Sequence, residues 1–124
     1  MRMRLESAHA LARIHRTGSA CASAAQEICV EPVVPAALDG QLSPDRMRAG
    51  LADARHFIAQ SRLYQDCLLK EVEAAKLQAA ISGMPFEPMI ETSARIKVAA
   101  SEKAQDDVGM AVNRAITTAR LPPN

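Results

Sequence analysis

From Ser43 onward the chain carries one apolar periodicity long enough to dictate its shape. Met47, Leu51, Ala54, Ile58, Ser61, Gln65, Leu68, Val72, Ala75 and Ala79 recur at alternating spacings of four and three. That pattern is the seam of a long amphipathic helix packed in coiled-coil fashion. Its start is marked by Ser43 as N-cap, Pro44 at the first helical position and Asp45 at the positive end of the helix dipole. Gly83 and Pro85 end it. Pro88 opens a second helix that reaches about Arg120, where Leu121-Pro122-Pro123 stops it. Its seam is built from Ile90, Ala94, Ala104, Val108, Ala111 and Ala115, with Lys97 and Ser101 interrupting and Gly109 weakening it by about 1 kcal/mol relative to alanine. The link Gly83-Met84-Pro85-Phe86-Glu87 is short enough to force an antiparallel return, with Met84 or Phe86 covering the end. The expected fold is all-α, an antiparallel two-helix hairpin over about 44–82 and 88–120.

Composition makes such a hairpin thin. In 124 residues only Phe57, Tyr64 and Phe86 are aromatic and tryptophan is absent. Alanine, leucine, valine, isoleucine and methionine must therefore carry the packing. Alanine favours helix but removes little area from water, so self-association is a natural remedy for a weak monomer core.

The net charge of +1 is unevenly placed, since Arg2, Arg4, Arg13 and Arg16 face only Glu6 in the first 25 residues. Beyond them basic and acidic residues alternate, as on a solvated helical surface and unlike a nucleic-acid footprint. The N-terminal stretch begins basic and ends in small residues, with Ala22-Ser23-Ala24 matching the A-x-A pattern of export-signal cleavage. Arg13, His15 and Arg16 break the apolar run such a signal requires. Residues 1–27 thus read as a degenerate export signal, an organelle-type presequence or a frayed, disordered tail, and residues 28–124 as the hairpin domain, including an arm over 28–43. No window reaches the ~18 apolar residues of a membrane span.

Three cysteines, Cys21, Cys29 and Cys67, leave one over if the protein is exported. Cleavage near Ala24 would remove Cys21 and leave Cys29 and Cys67 as one pair. The geometry allows that pair: Cys67 lies ~35 Å along a helix starting at Pro44, and the arm, extended by Pro32 and Pro35, covers ~43 Å at a polyproline rise. The arm would run back along the first helix, set Val30, Val33, Val34, Leu38 and Leu42 on its apolar face and turn at Asp39-Gly40. Closing a loop of this size contributes roughly 3–4 kcal/mol in the chain-entropy account. The alternative is three reduced thiols in a cytosolic protein.

Cys29-Val30-Glu31-Pro32, Pro35, Asp39-Gly40 and Ser43, with Phe57, Tyr64-Gln65-Asp66-Cys67-Leu68 and Glu71, resemble an uncharacterised group of small exported, periplasmic helical-hairpin proteins of proteobacteria. Asp106-Asp107-Val108 through Asn113-Arg114-Ala115-Ile116 resembles the group's second helix. The resemblance implies a two-cysteine staple from arm to helix and a periplasmic or secreted location, and it implies no activity. The missing apolar export core at the N-terminus departs from the pattern.

The residues suggest no catalytic centre, cofactor site or metal site. His56 shares a helix face with Asp53 and Gln60, but no zinc-ligand spacing is present. Glu71/Glu73 and Asp106/Asp107 diverge on a helix, so neither pair forms a general acid and base. Asp66 beside Cys67 opposes a lowered thiol pKa. Asp66 with Lys70 and Glu91 with Arg95 are i,i+4 ion-pair partners. Phe57, Ser61, Tyr64 and Gln65, aromatic and polar groups on or beside the seam, are the candidate interaction surface. The expected protein is a non-enzymatic interaction or structural module of the cell envelope, working through a protein partner or self-association. The rival is a cytoplasmic regulatory or adaptor helical protein with reduced cysteines.

Overall fold

The computed structural model describes residues 28–120. The targeting segment expected over 1–27 lies outside the described residues. Two helices, α1 (Pro44–Ser82) and α2 (Pro88–Arg120), follow an extended arm over 28–43. At 1.5 Å per residue they are ~58 and ~50 Å long, and they pack against each other as the all-α hairpin expected from the sequence.

Both ends of α1 follow the residues that mark them. Ser43 is extended and its Oγ accepts the Arg46 N–H at 3.2 Å, while its carbonyl accepts the Met47 N–H at 2.9 Å. Gly83 adopts the left-handed conformation (φ 69°), where a side chain would be strained. Its N–H and that of Met84 both return to the Ala79 carbonyl. At the start of α2 the Glu87 side chain accepts the Met89 N–H at 3.3 Å and its carbonyl accepts the Ile90 N–H at 3.2 Å. A glutamate thus performs the capping that Ser43 performs for α1.

The buried stripe of α1 is Ala54, Phe57, Ser61, Tyr64, Leu68 and Val72, and that of α2 is Ala94, Ser101, Val108 and Ala115, spaced by heptads. Phe57 and Tyr64 are therefore in the core and not beside it. Leu51, Ile58 and Gln65 from the expected seam are only half-buried. The arm supplies the reason: it packs along the Phe57/Tyr64 side of α1, so the arc removed from water is rotated toward it. On α2, Ser101 is buried where an interruption was expected, and Ile90 is exposed near the hairpin tip. Phe86, not Met84, covers the end, packing on a cluster of Tyr64, Leu68, Val72 and Ala94 that Cys29 and Val98 also join. Lys76 lies over the Phe86 ring at 5.7 Å and reaches Glu91 at 3.3 Å, and Arg95 reaches Glu91 at 2.9 Å. The Arg95 guanidinium first, then Lys76, hold the Glu91 carboxyl below its ordinary pKa.

Along the arm the half-buried residues are Cys29, Pro32, Pro35 and Leu38, followed by Leu42. A repeat of three is the period of a polyproline helix. It turns Val30, Val33 and Val34 outward, correcting the expectation that the valines would dock; Val33 is 90% exposed. The Leu38 methyls lie where a Cβ on Gly50 would sit. The glycine in α1 is thus the notch that admits the arm. Gly50→Ala should push the Leu38 side chain out of the notch, at a net cost of up to about 1 kcal/mol against alanine's better helix propensity. Urea unfolding of Gly50→Ala, Leu38→Ala and the double variant checks this, the double variant losing less than the two single losses combined.

Candidate functional site

The chemistry-bearing groups converge where the arm begins. Cys29 and Cys67 form a disulfide with Cα atoms 5.7 Å apart across a sequence separation of 38. That Cα distance lies within the normal range for the bond. Glu71, one helical turn beyond Cys67, brings Oε1 to 3.1 Å from Cys29 Sγ. Bonded sulfurs carry no proton, so this is a close approach and not a donated hydrogen bond. Cys29, Cys67 and Glu71 are the one group of three Cys, His or acidic residues near enough to share a metal ion among the described residues. Two of its three ligand atoms are spent in the S–S bond, since a metal requires thiolates.

The surroundings are electrostatically negative. Tyr64, also beside this junction, has its phenol pKa raised, first by burial and then by the charges of Glu31 and Glu71. The same carboxylates would oppose thiolate formation if the bond were reduced, which is the reverse of the basic setting of a nucleophilic cysteine. Farther along the arm, Asp53, His56 and Gln60 line a surface depression beneath Val30–Ala36. His56 and Asp53 gather no third Cys, His or acidic ligand among the described residues. Near the arm's end, an apolar pocket of about 160 Å³ lies between Val34–Leu38, Gly50 and Ala54 of α1, and Val108 and Ala111 of α2.

The four candidate interaction residues divide. Phe57, Ser61 and Tyr64 are closed inside the hairpin, while Gln65 is half-buried. The Gln65 amide donates to Ser101 Oγ at 3.0 Å and to Gln105 Oε1. With Ser61 these residues form a polar layer between two apolar clusters, one around Tyr64 and Leu68 and the other of Ala54, Phe57 and Val108. Ser61 is fully buried and its Oγ has no hydrogen-bond partner. Of the expected helical ion pairs, Glu91–Arg95 forms at 2.9 Å. Asp66–Lys70 is not within 4 Å, while Lys103–Asp107, also i,i+4, forms at 2.8 Å.

Sequence reasoning missed the approach of Glu71 to the sulfurs and the role of Gln105. The i,i+4 spacing from Cys67 to Glu71 was an available signal for the first. Nothing local signals the second, which depends on the register of α2.

Two stability measurements follow. Cys67→Ser should lower the unfolding free energy by about 3–4 kcal/mol, read from urea unfolding under non-reducing conditions. Ser61→Ala removes an unpartnered buried hydroxyl, and by the same measurement it should leave stability unchanged or raise it by up to about 1 kcal/mol.

No family model, no curated protein and no solved structure matches this chain.

Proposed function

We propose that the protein is a non-enzymatic helical module of an oxidising envelope compartment, periplasmic or secreted, that acts through contacts with a protein partner or with itself. The Cys29–Cys67 disulfide carries this reading. Cytosolic thiols are kept reduced by glutathione and thioredoxin, and a small domain with a thin core gains most from a covalent staple where the compartment preserves it. The negative surroundings of the sulfurs favour a structural bond over a reactive one. The resemblance of its motifs to those of small exported hairpin proteins points the same way. Among the described residues no helix is long and apolar enough to cross a membrane. The reading assigns the chain no cofactor, no metal and no nucleic acid.

Intact mass of the protein from its native source, with alkylation before and after reduction, tests location and staple together. The expected result is a mass lacking the residues up to Ala24, with Cys29 and Cys67 blocked until reduction. A full-length mass with all three thiols alkylating freely would overturn the envelope reading and favour a cytoplasmic adaptor.

A further inference from the structure

A two-helix hairpin has two broad faces, and in this protein they differ. The arm occupies one, against Asp53, Phe57, Gln60 and Tyr64 of α1. Two residues along a helix is ~200° of rotation, so Leu51, Ile58 and Gln65 lie nearly opposite Asp53, Gln60 and Cys67. With Leu69 they line the uncovered face, and all but Leu69 are half-buried. On α2 the matching residues are Val98, Gln105, Gly109 and Ile116, every one half-buried. Gly109 lies two positions from both Asp107 and Ala111, which line the arm-side pocket. A Cβ placed on it would meet nothing within 4 Å. This face therefore carries an apolar stripe on each helix, with a small residue leaving room for close approach.

We infer that a second copy of this chain covers this face, the two hairpins forming an up-down four-helix bundle about a two-fold axis parallel to the helices. The inference deepens the proposed function by naming the partner.

Three observations favour an identical partner. The first is hydrogen bonding. The Gln65 amide donates to Ser101 and Gln105, which leaves Gln65 Oε1 and the Gln105 amide without partners among the described residues. These are an acceptor and a donor at one height on the open face, so each copy offers what the other lacks. A polar layer of this kind fixes register in helical bundles.

The second is charge. Gln65 opposite Ser101 and Gln105, and Lys76 opposite Glu91, set the register of the hairpin. In that register Arg62 stands level with Asp106 and about one helical turn from Glu102, within an arginine's reach, and Glu73 stands level with Arg95. Arg62 and Glu73 lie one turn beyond Ile58 and Leu69, at the outer rim of the open face. Glu102 and Arg95 flank Val98 on the opposite rim. Arg62, Glu102 and Asp106 form no ion pair among the described residues. The proposed two-fold axis brings each α1 rim against the partner's α2 rim at the same height, setting Arg62 against Glu102 and Asp106, and Glu73 against Arg95.

The third is area. Two helices side by side over ~50 Å present ~1,000 Å², comparable with the ~800 Å² per partner of a standard stable interface.

Sedimentation equilibrium of the oxidised protein over a wide concentration range is the test. The expected mass is that of two chains. Gly109→Gln leaves the hairpin folded, since its side chain enters open space and glutamine is the better helix former, and should yield a monomer with undiminished helical circular dichroism. Arg62→Glu and Glu102→Arg should each weaken dimerisation at least tenfold. Mixing the two variants should restore it, because only a contact between chains is repaired by mixing. A wild-type protein that stays monomeric or forms larger assemblies, a Gly109→Gln variant that still dimerises, or a mixture no tighter than its components overturns the inference. Export and the disulfide are read separately by mass, so a monomer that is still exported and oxidised overturns the dimer and leaves the envelope reading in place.

Discussion

Two long helices can bury only the line along which they touch, and every other feature of this protein answers that limit. The line is occupied mostly by alanine, valine and serine, with single leucine, phenylalanine and tyrosine side chains, which remove too little apolar area from water to hold 39 and 33 residues in order by themselves. The arm adds a third surface. Its prolines are already extended before folding, so docking them costs less chain entropy than docking a flexible segment would. The disulfide keeps the arm close to α1 even when it is undocked. Covalent attachment, a preformed extended segment and a glycine notch thus widen one side of a narrow core.

The punctuation of the fold was legible because it is local. Ser43-Pro44, Gly83 with Pro85, and Pro88 act through their own backbone geometry and one or two neighbouring amides, and the helices begin and end where they stand. What escaped was mostly which side chains a second element would turn inward. Phe57 and Tyr64 entered the core because the arm, tied at Cys67 beside Tyr64, lies against them. The outward valines of the arm illustrate the same point. Hydrophobicity suggested that they dock, but the three-residue period imposed by Pro32 and Pro35 decides which side chains face the helix. Glu87 caps α2 without being a common capping residue, its carboxylate reaching the Met89 amide.

At the candidate site the pairing of Cys29 with Cys67 was legible from parity and reach. The carboxylate beside the sulfurs and the polar layer were not, since both depend on side-chain placement across elements. The polar layer divides the core into two apolar halves with different neighbours, one sharing Phe86 and Cys29 and the other sharing Ile58, Ala104 and Val112. Sliding one helix past the other would remove Gln65 from Ser101 and Gln105 and bring it against apolar groups. Register in this hairpin is therefore fixed by a few polar atoms more than by the shapes of its small apolar side chains.

The Cys29–Cys67 bond also closes a covalent ring. The arm from Cys29 and the first 24 residues of α1 form a macrocycle, and the last stretch of α1 and all of α2 lie outside it. Tension applied at Ile28 passes through the two sulfurs into the middle of α1 and bypasses residues 30–66, so the cap at Ser43 and the Leu38–Gly50 notch bear none of it. A single backbone cut anywhere in that ring leaves one molecule held by the disulfide. Among the described residues, the extended arm is thereby a stretch where a cut releases nothing.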